Sequence, residues 1–538
     1  MSGQPGGFAG AGWAGWRSAA PMEMAARDWR AGDYAAAAER CHGILAGNAW
    51  HFDALHLLGV VCLERGQFDE AITVLDRAVR VRPGDATACF NFGNALAGRE
   101  RHEEAVGAFR RAVALAPGSI DAFNNLGNAL AALRRHEEAI ECFRQALAIH
   151  PRHPPALFNL GKRLAELGRL DEALESFRGA LESAGPKADP ARLADIHDEI
   201  GHVLMELGRP EEALACTRAM LALRTDPGRA EWCASLVLLA LGRFAEGWEK
   251  YEFRYAVEGR EPPHARARVL DLAEVPGKRV LVCAEQGFGD IILFARYAPL
   301  LARAGAVVSL AVYPELSSLL GEMDGIAGVV EPDREDPSFD LVTAFPSLPL
   351  AFHTELASIP AEVPYLRPPA ARLAAWRERL GPRRRPRVGL CWWGSQHIPR
   401  RSMALATLAP VLARTDLDIH IVQKELPPAD REWLAAHPAI QEHSEALADF
   451  ADTAALLSSL DLVITVDTAV AHLAGALGRP VWIMLRSGAD WRWLSGRDDS
   501  PWYPTARLFR QQQPLDWDPV VAAVSRALAE HAFQDCPP

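Results

Sequence analysis

Residues Asp461-Leu-Val-Ile-Thr-Val466-Asp467-Thr468-Ala469-Val470-Ala471-His472-Leu473-Ala474-Gly475-Ala476-Leu477-Gly478-Arg479-Pro480 decide how the second half of the chain folds. Leu462 to Val466 is an uninterrupted apolar and β-branched run of strand length, as a parallel strand covered on both faces requires. Asp467-Thr468 ends it, a helix over 469–477 begins at once, and a second strand follows over 480–485. In such a unit the first helical N–H groups face past the strand end and the macrodipole adds positive potential there. Thr468 and Ala469 then form an anion site, with His472 one turn into the same helix. A plainer reading makes Asp467 or Thr468 an N-cap and His472 a core residue.

Working outward, the alternation of strand and helix continues in both directions. Upstream, 387–393 reads as a strand ending at Gly394-Ser395, followed by a helix over 404–414, a strand over 419–423, and helices over 428–435 and 450–459. Further upstream, 278–284 reads as a buried strand, Glu285-Gln-Gly287-Phe-Gly289-Asp290 as a Gly-rich turn, and 291–304 as an amphipathic helix. A strand over 306–313 and apolar runs at 329–330 and 341–344 extend that sheet. The segment 368–386, with Arg383-Arg384-Arg385, reads as a solvated hinge. Two Rossmann-like lobes result, 275–370 and 385–538, and ligands of such sheets sit at the carboxyl ends of the strands.

The first half is periodic. Gly59, Gly93, Gly127 and Gly161 stand 34 residues apart, followed after 12 residues by Ala71, Ala105, Ala139 and Ala173 and after 19 by Ala78, Ala112, Ala146 and Ala180. Pro83, Pro117 and Pro151 close three of the units. Small residues let two helices approach, larger ones such as Leu75, Phe109 and Phe143 fill the layers between, and proline stops the second helix. This set closely resembles the tetratricopeptide (TPR) consensus. The array is expected over 22–262 as an α-solenoid, behind a Gly/Ala-rich flexible tail at 1–21. A six-residue insertion precedes the repeat that begins near Gly201.

Asn91, Asn125 and Asn159 each lie two residues before a repeat glycine. A carboxamide offers donor and acceptor together, so this row suits the backbone of an extended peptide; equally, it can satisfy neighbouring helices. It resembles the asparagine ladder of O-GlcNAc transferases. The 461–480 stretch resembles the sugar-nucleotide motif of the lipopolysaccharide heptosyltransferases, glycosyltransferase family 9. Two Rossmann-like lobes in series are the GT-B arrangement, and a TPR array before them is also the layout of bacterial flagellin glycosyltransferases.

The resemblance implies that Asp467, Thr468, Ala469 and His472 contact a sugar-nucleotide donor. It also implies that Asp290, at the turn bearing Gly287 and Gly289, is the general base toward an acceptor hydroxyl. Lys424, after a strand, is a candidate for the donor phosphates or a surface lysine. Trp393, Gly394 and Ser395 offer backbone N–H groups to phosphate, with His397, Arg400, Arg401 and Ser402 beyond them. Arg492 is a candidate anion partner, while the aromatics of 490–504 line a pocket or pack the C-terminal segment onto the first lobe.

Composition bounds the partners. Lys+Arg of 57 against Asp+Glu of 69 gives net charge −12 with no basic block, which argues against nucleic acid. The nine cysteines lack Cys-x-x-Cys spacing, so neither a zinc site nor a disulfide framework is indicated and a cytoplasmic setting is expected. No run is long and apolar enough to span a membrane. With no Asp-x-Asp motif at a strand end, no metal and no cofactor beyond the donor are expected. The expected function is an inverting, metal-independent transfer to a protein held by the arm, flagellin among the candidates. Transfer to a glycan and a non-catalytic scaffold are the alternatives.

Overall fold

The computed structural model describes residues 20–185, 187–257, 260–332, 337–394, 400–488 and 490–533. They fall into two compact units divided at Asp189/Pro190. The expected solenoid of 22–262 therefore spans that division.

In the first unit ten helices succeed one another, from Ala20–Arg30 to Leu170–Ser183. The repeat glycines sit where the periodicity requires close contact. A Cβ on Gly59 would lie 2.4 Å from Leu75, and one on Gly93, Gly127 or Gly161 would lie 2.6–2.7 Å from Phe109, Phe143 or Phe177. All four of those partners are buried, so each glycine is a socket for the large residue sixteen positions later. The turn inside each repeat needs a left-handed residue, supplied by Gly66 and Gly168 but also by Glu100 (φ 58°) and Arg134 (φ 59°).

The second unit opens with four more repeat helices, Pro190–Glu206, Pro210–Leu223, Pro227–Ala240 and Phe244–Tyr251, before its sheets begin. Strands β1 (Arg279–Cys283), β2 (Val307–Ala311), β3 (Ile326–Val330) and β4 (Leu341–Ala344) form a parallel sheet in the order β3-β2-β1-β4. Strands β5 (Arg387–Cys391), β6 (Asp418–Ile421), β7 (Gln441–Glu442), β8 (Leu462–Val466), β9 (Val481–Leu485) and β10 (Ala506–Arg510) form a second, in the order β10-β9-β8-β5-β6-β7. All its pairings are parallel. The fold is thus an α-solenoid followed by two Rossmann-like α/β lobes. Strand order reverses beside β1 and beside β5, the switch points where such sheets take ligands.

Two expectations need correction. The helix expected over 291–304 is two, Phe288–Ala295 and Ala298–Arg303. Pro299 cannot continue the first, and the buried Arg296 at the break donates to the carbonyls of Leu293, Trp502 and Pro360. The stretch read as a hinge, 368–386, holds the helix Ala370–Leu380. Its Trp376 is buried and donates Nε1–H to Asp452 at 3.1 Å, while Arg383 pairs with Asp461 at 3.1 Å. The segment is therefore bound to the second lobe, because its indole and guanidinium groups find carboxylates there. Among the described residues no helix is long and apolar enough to cross a membrane.

Candidate active site

Because both switch points face the same space, the first turns after β1, β5 and β8 line one cavity of about 1240 Å³. Gly287, Gly289, Asp290, Trp393, Gly394, Lys424, Asp467, Thr468, Ala469, His472 and Arg492 all lie on its wall. Ser395 and His397 lie outside the described residues.

Gly289 is one point of close contact between the lobes. A Cβ there would lie 2.8 Å from His472 Cδ2 and 3.6 Å from the Ala469 Cα. Its role is thus close helix packing, which fixes Asp290, one residue on, relative to the helix Ala469–Ala476. Asp290 forms an ion pair with Arg492, which also pairs with Asp490 at 2.5 Å. Arg492, expected on an anionic ligand, is committed to these two carboxylates. Burial pushes the Asp290 carboxyl above its ordinary range; Arg492 opposes that rise and Asp490 adds to it. Burial likewise raises Asp467, with Asp490 contributing.

His472 is buried; its Nδ1 lies 3.0 Å from the Tyr503 hydroxyl and its ring stacks on Trp493 at 5.0 Å. Burial and then the cations Arg492, Arg296 and Arg401 hold its pKa well below the ordinary value, so the ring is neutral. The helix N-cap Thr468 makes no side-chain cap bond, and its hydroxyl lies 3.2 Å from that of Thr465.

Two phosphate expectations are corrected by local bonding. The Trp393 N–H donates to Gln423 Oε1 at 2.9 Å and the Gly394 N–H to Ser402 Oγ at 3.0 Å, so both are already engaged. Lys424 Nζ donates to the Leu447 carbonyl from the cavity wall. Arg401 lies against Gly394, where a Cβ would be 2.6 Å from its Nε, and that Nε is buried with no hydrogen-bond partner among the described residues.

The residues that sequence reasoning missed come from the repeats. Trp232 and Leu236, on the helix Pro227–Ala240, line the same cavity with Tyr251, Tyr255 and Arg260. Arg254, fully buried, joins Glu285 at 2.7 Å to Glu252 and Ser347, and Tyr255 donates to the other Glu285 oxygen. Nothing in a tryptophan on a repeat helix announces this position. Of the late aromatics, Trp493, Trp502 and Tyr503 are fully buried, Trp502 against Phe244 and Trp248 and the other two against His472, whereas Trp491 still reaches the cavity.

In the first unit, Asn91 is buried and bonds His56 at 2.9 Å, Asn125 donates to Asn94 at 2.8 Å, and Asn159 donates to Asn124 at 3.0 Å. The carboxamides therefore stitch one repeat to the next. Asn91 is turned away from solvent; Asn125 and Asn159 are half-buried and keep further lone pairs.

Residues 23–78, 56–120 and 119–184 match tetratricopeptide repeat families. Residues 446–485, which contain β8, Asp467, Thr468 and His472, match glycosyltransferase family 9 (heptosyltransferase). The chain is thus similar to tetratricopeptide repeats over 23–184 and to family 9 glycosyltransferases over the forty residues 446–485. It is similar to protein FlbA of Caulobacter vibrioides, 30% identical over 366 residues, a stretch covering 61% of this chain and 60% of that relative. Among solved structures, MamA shares 26% identity over 30% of this chain and 94% of its own, with TM-score 0.29. YrrB, titled a TPR protein with an unusual peptide-binding site, shares 24% over 36% and 96%, with TM-score 0.31.

Proposed function

We propose that this chain is a sugar-nucleotide-dependent O-glycosyltransferase that modifies a protein recruited by its repeats. The observation that carries the reading is the shared cavity. Asp290, from the first lobe, faces the strand–helix turn Asp467-Thr468-Ala469 of the second, and the family 9 match falls on that turn. Asp290 accepts the proton of a Ser or Thr hydroxyl as that oxygen attacks the anomeric carbon, with Arg492 aiming the carboxylate. The nucleotide departs from the opposite face, so configuration inverts. Its developing negative charge meets Lys424, Arg401, the Thr468 hydroxyl and the N-terminus of the Ala469–Ala476 helix. These cations supply the charge that a divalent ion would otherwise bring, so transfer is expected to persist in EDTA.

Intact-mass measurement of candidate acceptors, flagellin first, co-expressed with the wild type and with Asp290→Ala tests the reading. A sugar-sized gain present only with the wild type supports it. Donor hydrolysis with no gain on any protein would move the acceptor to glycans, and no hydrolysis would leave a scaffold.

A further inference from the structure

The cavity is larger than one ligand needs. Small-molecule sites usually enclose about 300–1,000 Å³, and about 1240 Å³ is present here. Its two ends differ in chemistry. Lys424, Arg401, Thr468 and Asp467 make one end polar and charged. Trp232, Leu236 and Tyr255, backed by Tyr251, give the other its aromatic and aliphatic surface, with Arg260 and Glu285 beside them, and they come from the repeat helix Pro227–Ala240 and the short helix Glu252–Ala256. Trp232 and Leu236 are only half-buried, so their free faces are the wall itself. The wall is rigidly backed: Trp232 packs on Tyr251 at 4.9 Å and carries the Arg260 guanidinium at 4.8 Å. Tyr251 in turn donates to Gln286 at 3.1 Å, just before the helix Phe288–Ala295 that bears Asp290.

We propose that this wall is the acceptor subsite, and that it selects a polypeptide carrying an apolar side chain next to the hydroxyl residue that is modified. The inference rests on the protein-acceptor reading above. A repeat helix of the second unit, Pro227–Ala240, lines the reacting space, so a segment held against that helix meets this end of the cavity. The end it meets offers indole, isobutyl and phenol surfaces. An apolar side chain seated there leaves water, while an aspartate would give up hydration against indole and isobutyl surfaces, a cost that the exposed Arg260 guanidinium over the Trp232 ring offsets only in part. One apolar group in such a pocket discriminates by roughly tenfold or more.

The test uses the full chain, a sugar nucleotide on which transfer has been detected, and serine peptides differing only in the residue flanking the serine: Leu, Ala or Asp. The wild type should prefer Leu over Asp by about tenfold or more in kcat/KM. Trp232→Ala and, separately, Leu236→Ala should bring that ratio toward one. A ratio is insensitive to the fraction of enzyme folded, so a destabilised variant still reports. Equal use of all three peptides by the wild type would overturn the proposal, as would full selectivity in both variants. Donor hydrolysis without modification of any peptide, but with transfer to a free oligosaccharide, would remove the protein-acceptor reading and this inference with it.

Discussion

At the residue scale the decisive pair is Asp290 and Arg492, both at the cavity and joined as an ion pair. Asp290→Asn should lower transfer by about 10²–10⁴-fold, the range of a lost general base, measured as kcat on any accepted substrate. Arg492 opposes the burial-driven rise of the Asp290 carboxyl. Arg492→Met should therefore push that carboxyl higher still, and the acid limb of the kcat/KM–pH profile should move to higher pH; an unmoved limb would separate the guanidinium from the base. Gly289→Ala places a methyl 2.8 Å from His472, an overpacking that costs about 1–3 kcal/mol and should appear in urea unfolding. The positions of Thr468 and His472 in their elements were legible because a strand end has fixed local geometry, whereas Asp290, expected in the glycine turn, stands in the first turn of a helix that begins at Phe288. The engagement of the Trp393 and Gly394 N–H groups was not, since Gln423 and Ser402 reach them through tertiary folding.

At the scale of elements, the repeats show which regularities sequence carries. The glycine sockets and their Leu75, Phe109, Phe143 and Phe177 partners follow from a spacing, whereas the left-handed turns at Glu100 and Arg134 carry no glycine to mark them. A left-handed residue with a Cβ costs roughly 1–2 kcal/mol, partly offset by the entropy glycine loses on folding. Glu100→Gly and Arg134→Gly should each raise stability by about 0.5 kcal/mol in urea titration. The helix Ala370–Leu380 escaped the sequence reading because the Arg383-Arg384-Arg385 run after it suggested solvent, while Trp376 decided its packing.

The strands β6 and β7 bring His420 and His443 within 3.0 Å, rings stacked and buried. Burial, then His443 and Arg387, lowers His420 to about 3; burial and then Arg379 lowers His443 to about 4, against a smaller opposing pull from Glu442. An unfolded histidine titrates near 6.5, so the unfolded chain binds more protons across the interval between. Stability contributed by the neutral pair is complete above about pH 6.5 and drains as pH falls toward 4 and then 3. Denaturant midpoints at pH 7.5 and pH 5 should differ in that direction, and His420→Phe should flatten the difference.

On the scale of the whole molecule, period and compactness part company. The 34-residue pattern runs on past residue 200, yet the described chain divides at Asp189/Pro190, near the extra six residues. Every residue of the cavity wall lies between Trp232 and Arg492. A chain starting at Pro190 should therefore still bind or hydrolyse the donor in a calorimetric or coupled assay, while losing modification of a protein held by the missing repeats. Loss of donor binding in that chain would place part of the site in the first unit. Under the proposed function the arm is, in effect, a ruler of interchangeable 34-residue lengths, and because every described residue of the cavity wall comes from beyond the break, descent can add, delete or exchange those lengths to follow a new client without rebuilding that wall.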